Sequence, residues 1–278
     1  MADRRVFTSL HDALQNRMSA VLFTVIESPK SELLGAKALL VQGEGGISTS
    51  ASTLPDDWMD HIAAIASERL DPRGKLGAQS AESYKRPKRV TIEPMPLVPG
   101  VSLSVEVFHP RPRLVIAGGG HIAVPTHEIA DIVGFAVTVL DDRPAFADPE
   151  RFPRAERVIC DDFTSGISHL EIDSRTSVVV VTRGHLHDLE VIRALANTDP
   201  AYVGMIGSRR RTLTVVERLE EEGFSDEFVG RIYSPIGLDI GAETPEEIAL
   251  AIVSEVVCVL RGGSGTHLRR SLRRFRLE

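Results

Sequence analysis

The chain has 278 residues, of which 42% are hydrophobic, and its formal net charge is −7. This length suffices for one large domain or two ordinary ones, each with its own core, and we expect two. The acidic balance argues against nucleic acids and anionic membranes as partners. No apolar run approaches the roughly 20 residues of a membrane span, so we expect a cytoplasmic protein.

The first part of the chain mixes helical and strand-like segments. Apolar residues at helical spacing predict a helix from Val6 to Met18, and Pro55 opens a second helix that carries Trp58. The pattern predicts a smaller N-terminal α/β domain over residues 1–110, ending at a proline pair. Its predicted strands are Val21–Ile26, Ala36–Val41, Arg89–Glu93 and Ser102–Phe108.

From residue 111 onward, short apolar runs alternate with longer amphipathic ones, which is typical of parallel βαβ units. We therefore expect residues 111–278 to form a C-terminal Rossmann-like domain, a doubly wound parallel sheet in an α/β protein. The predicted strands are Leu114–Ala117, Ala136–Leu140, Arg157–Cys160, Ser177–Val181, Tyr202–Ile206 and Arg231–Tyr233, and the predicted helices are His121–Val133, Asp188–Ala196, Arg209–Glu222 and Pro245–Leu260.

The first of these strands runs into a glycine-rich turn that fits the dinucleotide-binding pattern G-x-G-x-x-G/A. Glycine permits the turn and the close approach of a pyrophosphate, and the final alanine allows the helix to pack on the strand. Asp141 follows about 20 residues later, where a carboxylate can bind ribose hydroxyls, and Asp142 would repel a 2′-phosphate. The pattern predicts a diphosphate ligand, NAD-like rather than NADP, held by Gly118, Gly119, Gly120, Ala123 and Asp141, with His121 either touching a phosphate or facing solvent.

A polar loop follows the fourth strand, at the sheet edge where open α/β sheets bind ligands. Arg183, His185 and His187 lie in it, and Asp188 follows. A ligand-facing loop is one interpretation, a metal site or proton shuttle is another, and Asp188 could simply cap the next helix.

Two later loops reach the same edge. Gly207, Ser208 and Arg209 at a helix start suit an anion, while the next two arginines are expected to serve solubility. Thr244 and Glu247 form a predicted capping box, and Glu243 just before it could meet polar groups of a ligand.

Four of these segments, in this order, resemble the XdhC/CoxI family of xanthine dehydrogenase accessory proteins. The resemblance implies a chaperone that binds the molybdenum cofactor (molybdopterin), protects it and delivers its sulfurated form to the apo-enzyme of a molybdenum hydroxylase. A cofactor sulfurase as second partner and a homodimer stay open. The segments are Ala117–Ala123, Val137–Arg143, Tyr202–Arg209 and Pro235–Glu247.

The first half departs from that family. Where the family commonly carries a Gly-Gly-Gly-Cys loop, this chain has the serine-rich segment Gly46–Ser52, and Tyr84–Lys88 stands where Cys-Gly-Gly is expected. Both cysteines, Cys160 and Cys258, lie in apolar runs of the second half, which predicts buried thiols rather than a disulfide or zinc site.

Two other functions fit the same glycine turn. One is an NAD-dependent oxidoreductase, with His185 or His187 as proton donor. The second half lacks a Tyr-x-x-x-Lys pair, because every lysine precedes Arg89. The other is a nucleotide-sensing regulator without chemistry of its own, so whether the chain is an enzyme stays open.

Overall fold

The structure is a computed structural model that describes residues 2–43, 45–70 and 90–267. The chain divides into two compact units, Met1–Arg111 and Pro112–Glu278. No helix within the described ranges is long and apolar enough to cross a membrane.

The first unit is an antiparallel sheet with one helix on each face. Its helices are α1 (Ala2–Gln15) and α2 (Met59–Leu70), and its strands are β1 (Ser19–Glu27), β2 (Lys37–Gly43), β3 (Gly46–Ser52), β4 (Val90–Pro94) and β5 (Ser102–Phe108). The strand order is β3-β2-β1-β5-β4. Alternate residues of β1 point to opposite faces, so Val21 and Phe23 pack with Trp58 and Ile62 of the α2 side, whereas Leu22 packs with α1.

Three predictions for this unit need correction or fall outside the described residues. The first helix begins at Ala2 and ends before Arg17, whose positive φ of 58° ends the helical course. The segment Gly46–Ser52, which stands where the family carries a loop and which was not predicted as a strand, is strand β3, paired with β2. Its serines gave no apolar alternation to reveal it. Arg89 and Tyr84–Lys88 lie outside the described residues.

The second unit confirms the predicted doubly wound parallel sheet. Its strands are β6 (Arg113–Ala117), β7 (Ala136–Asp141), β8 (Arg157–Cys160), β9 (Thr176–Val180), β10 (Tyr202–Met205) and β11 (Ile232–Tyr233), and its helices are α3 (Ala123–Ile132), α4 (Phe163–Ser168), α5 (His185–Ala194), α6 (Arg209–Glu221), α7 (Asp226–Gly230) and α8 (Pro245–Arg261). The strand order is β11-β10-β9-β6-β7-β8. Helices α3 and α8 cover one face, and α4, α5 and α6 cover the other.

The strand order predicts a ligand-binding crevice at one defined point. β6 pairs with β7 on one side and with β9 on the other. The chain therefore continues from β6 toward one edge of the sheet and from β9 toward the opposite edge. Open α/β sheets bind ligands at such a switch point, outside the carboxyl ends of the strands. The loops that follow β6, β7 and β9 therefore define the place to look for a site.

The expectation of two buried thiols is wrong. Cys160 is exposed, because it ends the edge strand β8, and Cys258 is half-buried, with its Sγ 2.9 Å from the carbonyl oxygen of Gly263. Edge position, which the local sequence does not reveal, explains the exposed thiol.

Candidate functional site

The glycine turn after β6 is shaped by two glycines that no other residue could replace without strain. Gly118 has φ +113°, and a Cβ built on it would lie 2.5 Å from the carbonyl oxygen of Val181. A Cβ on Gly119 would collide with the carbonyl oxygen of Phe146, whereas a Cβ on Gly120 would have no atom within 4 Å. The first two glycines therefore serve close packing, and open space remains at Gly120.

Helix α3 starts directly after this turn. It begins at Ala123, which is fully buried as the fingerprint requires, and His121 is exposed ahead of the helix rather than within it. Among the described helices of this unit, α3 and α5 begin without a side-chain cap hydrogen bond. Both first turns therefore lack the side-chain acceptor that the other four helices receive from Asp162, Ser208, Ser225 and Thr244. Backbone carbonyl oxygens of Gly120 and Gly184 accept the N–H groups of Ala123 and His187.

Asp141 ends β7 and braces the glycine turn from inside. Its side chain is 1% exposed. Oδ2 accepts the N–H of Gly119 at 2.7 Å, and Oδ1 accepts the backbone N–H of Arg143 at 3.0 Å and its Nε–H at 2.9 Å. Burial alone would raise the pKa of Asp141, but the hydrogen bonds from Arg143 and Gly119 hold it below its ordinary value of 3.8. A ribose could reach this carboxylate only by displacing Arg143, and ribose binding by Asp141 stays a prediction.

We expect Asp141→Asn to lower the free energy of unfolding at pH 7 by about 1–2 kcal/mol, since charge-assisted hydrogen bonds are lost. The native pKa lies below the unfolded one, so the carboxylate's stabilisation is present above about pH 4 and is lost as the pH falls below 3.8. Urea denaturation of both proteins between pH 7 and pH 3 should show their difference shrinking. The exposed Asp239→Asn serves as control; a difference that grows toward pH 3 would contradict the assignment.

Two arginines that are not among the predicted site residues lie around the turn. Arg151 donates from Nη1 to the carbonyl oxygens of Gly119, at 2.7 Å, and Phe146, at 3.1 Å. The Arg143 guanidinium lies 3.6 Å from the centroid of the Phe146 ring, a cation–π contact. Arg143 ends the segment Val137–Arg143 of the family resemblance, whereas Arg151 belongs to no predicted motif, so only the folded chain reveals its contact with Gly119.

A second ion pair joins the loops on either side of the turn. Asp142 follows β7, and Arg183 follows β9, the two strands that flank β6. Arg183 donates from Nη1 to Oδ1 at 2.5 Å and from Nη2 to Oδ2 at 2.7 Å, a bidentate pair. These hydrogen bonds lower the pKa of Asp142 to about 2. Arg183, a predicted site residue, is thus placed beside the glycine turn.

The two predicted histidines lie on helix α5 rather than in a loop. His185 is exposed at the first position, and the Nδ1 of His187 lies 2.9 Å from Oε2 of Glu190. Side chains two positions apart on a helix do not share a face. Within the described ranges, no group of three histidine, cysteine, aspartate or glutamate residues could hold a metal ion.

Asp188 and Arg211 form a buried link that the sequence analysis misread. Asp188 is 0% exposed in the first turn of α5 and is not a cap; it accepts from the Thr182 hydroxyl at 2.6 Å and from the Arg211 Nε–H at 2.7 Å. Burial raises the pKa of Asp188, although both hydrogen bonds act in the opposite direction. Arg211 was expected to serve solubility, and that was wrong because its side chain turns back from α6 to α5.

The remaining predicted residues lie in two further loops. Ser208 accepts the N–H of Arg211 and thereby caps α6, with Gly207 before it and the exposed Arg209 after it. The capping box of α8 is confirmed, and Glu243 is exposed, with its backbone N–H donating to Glu247 at 2.8 Å. Whether Gly207, Arg209 and Glu243 meet a ligand stays a prediction.

The chain is similar in sequence to known proteins. The chain is 33% identical over 156 residues to a probable xanthine dehydrogenase subunit of Bacillus subtilis strain 168, covering 56% of this chain and 45% of that protein. It is 27% identical over 152 residues to the molybdenum cofactor insertion chaperone PaoD of Escherichia coli K12, covering 55% and 41%. The uncharacterized protein YqeB of Escherichia coli K12 is 31% identical over 166 residues, covering 59% and 30%. The chain thus spans less than half the length of each of these relatives.

The fold is shared with a solved structure as well. A crystal structure described as a xanthine dehydrogenase from Bacillus halodurans superposes with a TM-score of 0.66 at 23% identity, covering 94% of this chain and 68% of that one. The family model described as the XdhC Rossmann domain matches residues 114–256, which include the glycine turn, Asp142, Arg183 and most of α8. By that match, the chain belongs to the XdhC Rossmann-domain family.

Proposed function

We propose that this chain binds a molybdenum cofactor at the crevice beside β6 and helps to deliver it to the apo-enzyme of a molybdenum hydroxylase. The observation that carries the proposal is that α3 and α5, which follow the adjacent strands β6 and β9, both start without a side-chain cap, and that the turn before α3 leaves open space at Gly120. Unpaired amides at helix N-termini attract phosphate. Family membership and the relative named as a molybdenum cofactor insertion chaperone supply the pterin and its destination.

The residues present fit the phosphate end of such a ligand. The pterin cofactor carries a phosphate, which in some forms is extended to a dinucleotide, and both forms present the oxygen atoms that backbone N–H groups bind. Arg183 adds a guanidinium that is 39% exposed at the same edge. The cofactor is cargo here, so the chain's part is to bind it, orient it and release it.

The test is native mass spectrometry of protein purified from a host that makes the molybdenum cofactor. Gly120→Glu should abolish the bound pterin because it places a carboxylate in the open space where the phosphate would lie. Gly120→Gln has the same size without the charge and should retain more cofactor, which separates repulsion from crowding. Wild-type protein without any pterin, or equal retention by both variants, would overturn the proposal.

The same spectra bear on the two other functions. Bound NAD in place of a pterin would favour the oxidoreductase, and hydride transfer to a substrate would establish it. Cofactor-free protein that pulls down a partner only when nucleotide is added would favour the nucleotide-sensing regulator.

A further inference from the structure

The ion pairs around the crevice fall into two kinds. Asp141 and Asp188, the carboxylates that hold Arg143 and Arg211, are 1% and 0% exposed. The third pair differs, because the side chains of Asp142 and Arg183 are 26% and 39% exposed. A pair that water reaches contributes little to stability, whereas removing a partner from a buried pair is strongly destabilising. Of these three pairs, the one between Asp142 and Arg183 exchanges most easily.

The geometry of this exposed pair is that of an arginine bound to an anion. Two parallel N–H···O bonds, of 2.5 and 2.7 Å, join the guanidinium to the carboxylate. The same fork binds a phosphate oxygen pair. Arg143 and Arg151 are engaged with Asp141 and with carbonyl oxygens of the turn, so of these three guanidinium groups Arg183 is the one placed to change partners.

We propose that Asp142 is an internal competitor for Arg183, so that the phosphate of an incoming ligand replaces the Asp142 carboxylate on this guanidinium. This inference rests on the proposed anion site at the glycine turn. This competition favours ligands with two or more negative charges. A ligand with one negative charge would interact with Arg183 no more strongly than the Asp142 carboxylate that it replaces. It also aids release, since the carboxylate recaptures Arg183 when the cargo leaves.

The probe for this inference is inorganic pyrophosphate, titrated by calorimetry at low ionic strength, where exposed charges are screened least. Asp142→Asn and Asp142→Ala should each bind pyrophosphate more tightly than wild type, on the order of fivefold, because an exposed pair of up to about 1 kcal/mol no longer competes. Arg183→Gln should bind it at least about tenfold more weakly, since hydrogen bonds to charged groups contribute roughly 1.5–3 kcal/mol.

A matched control is available on the same unit. Glu222 pairs with Arg193 through two guanidinium nitrogens, and the Arg193 and Glu222 side chains are 39% and 28% exposed. Arg193 lies in the last turn of α5, away from the carboxyl ends of the strands. Glu222→Gln therefore removes a similar exposed pair and one negative charge, and it should leave pyrophosphate affinity unchanged.

Three outcomes would overturn the inference: no gain in either Asp142 variant, an equal gain in Glu222→Gln, or no pyrophosphate binding by any of the proteins. Its failure is distinguishable from that of the proposed function. If native mass spectra show retained cofactor but pyrophosphate affinity is the same in the Asp142 variants as in wild type, only the proposed competition by Asp142 is rejected. If pyrophosphate affinity depends on residues 142 and 183 but the protein never retains a pterin, the proposed cofactor binding is rejected and the competition by Asp142 stands.

Discussion

Gly118→Ala is expected to destabilise the second unit by about 2–5 kcal/mol. Two costs add: a φ of +113° is strained for any residue with a Cβ, and that Cβ would lie 2.5 Å from the Val181 carbonyl oxygen, which belongs to the neighbouring backbone. Urea unfolding followed by far-ultraviolet circular dichroism measures the loss. Unfolding of the first unit can be followed through the fluorescence of Trp58, the single tryptophan of the chain.

Gly120→Ala is the matched control for this substitution. It adds the same methyl group two residues further along the same turn, where no atom lies within 4 Å. Its unfolding free energy should stay within about 0.5 kcal/mol of wild type. Equal destabilisation by the two variants would contradict the packing argument.

Arg211→Met is expected to cost roughly 2–4 kcal/mol at pH 8. It leaves the Asp188 carboxylate, 0% exposed, with the Thr182 hydroxyl as its remaining partner, and an unpaired buried charge is expensive. The expected cost lies at the lower end for buried pairs because the Arg211 side chain is 26% exposed. The exposed Arg210→Met, on the same helical turn, should change the unfolding free energy little.

The pH dependence of Arg211→Met distinguishes charge from packing. The pKa of Asp188 is raised by burial, and loss of Arg211 removes a contact that lowers it. The native state then holds a proton that the unfolded state releases, so the variant loses stability as the pH rises through the range above the unfolded value of 3.8. Unfolding free energies at pH 5 and pH 8 should show the larger deficit at pH 8; an equal deficit would mean that lost packing, not charge, is responsible.

The sequence predicted the second unit well because its signals are local. Runs such as Leu114–Ala117 and Ser177–Val181 are apolar on both sides, as strands covered on both faces must be. The start of α8 was readable from Thr244 and Glu247, since a capping box needs only contacts within four residues. The start of α5 was not, because Gly184 precedes it and offers no side-chain cap.

Of the candidate site, only the backbone turn could be predicted from the sequence, and the side-chain pairs around it could not. The glycine turn could be found because its spacing is a local requirement of a strand that passes into a helix. The pairs that fix it join residues far apart in sequence, such as Arg151 with Gly119 or Arg183 with Asp142. The chain carries 71 charged side chains, 32 basic and 39 acidic, and no local pattern says which of them meet.

The pairing of β6 with β9 has a consequence for how the chain is made. Arg113 lies opposite Thr176 in this pairing, so the middle of the parallel sheet closes only after the whole β6-β7-β8 segment has been synthesised. Until then, the inner edge of β6 presents free backbone groups, the kind of edge that recruits other chains. Released fragments that end before Thr176 should therefore aggregate more readily than fragments that include β9 and β10, which light scattering of the two can compare.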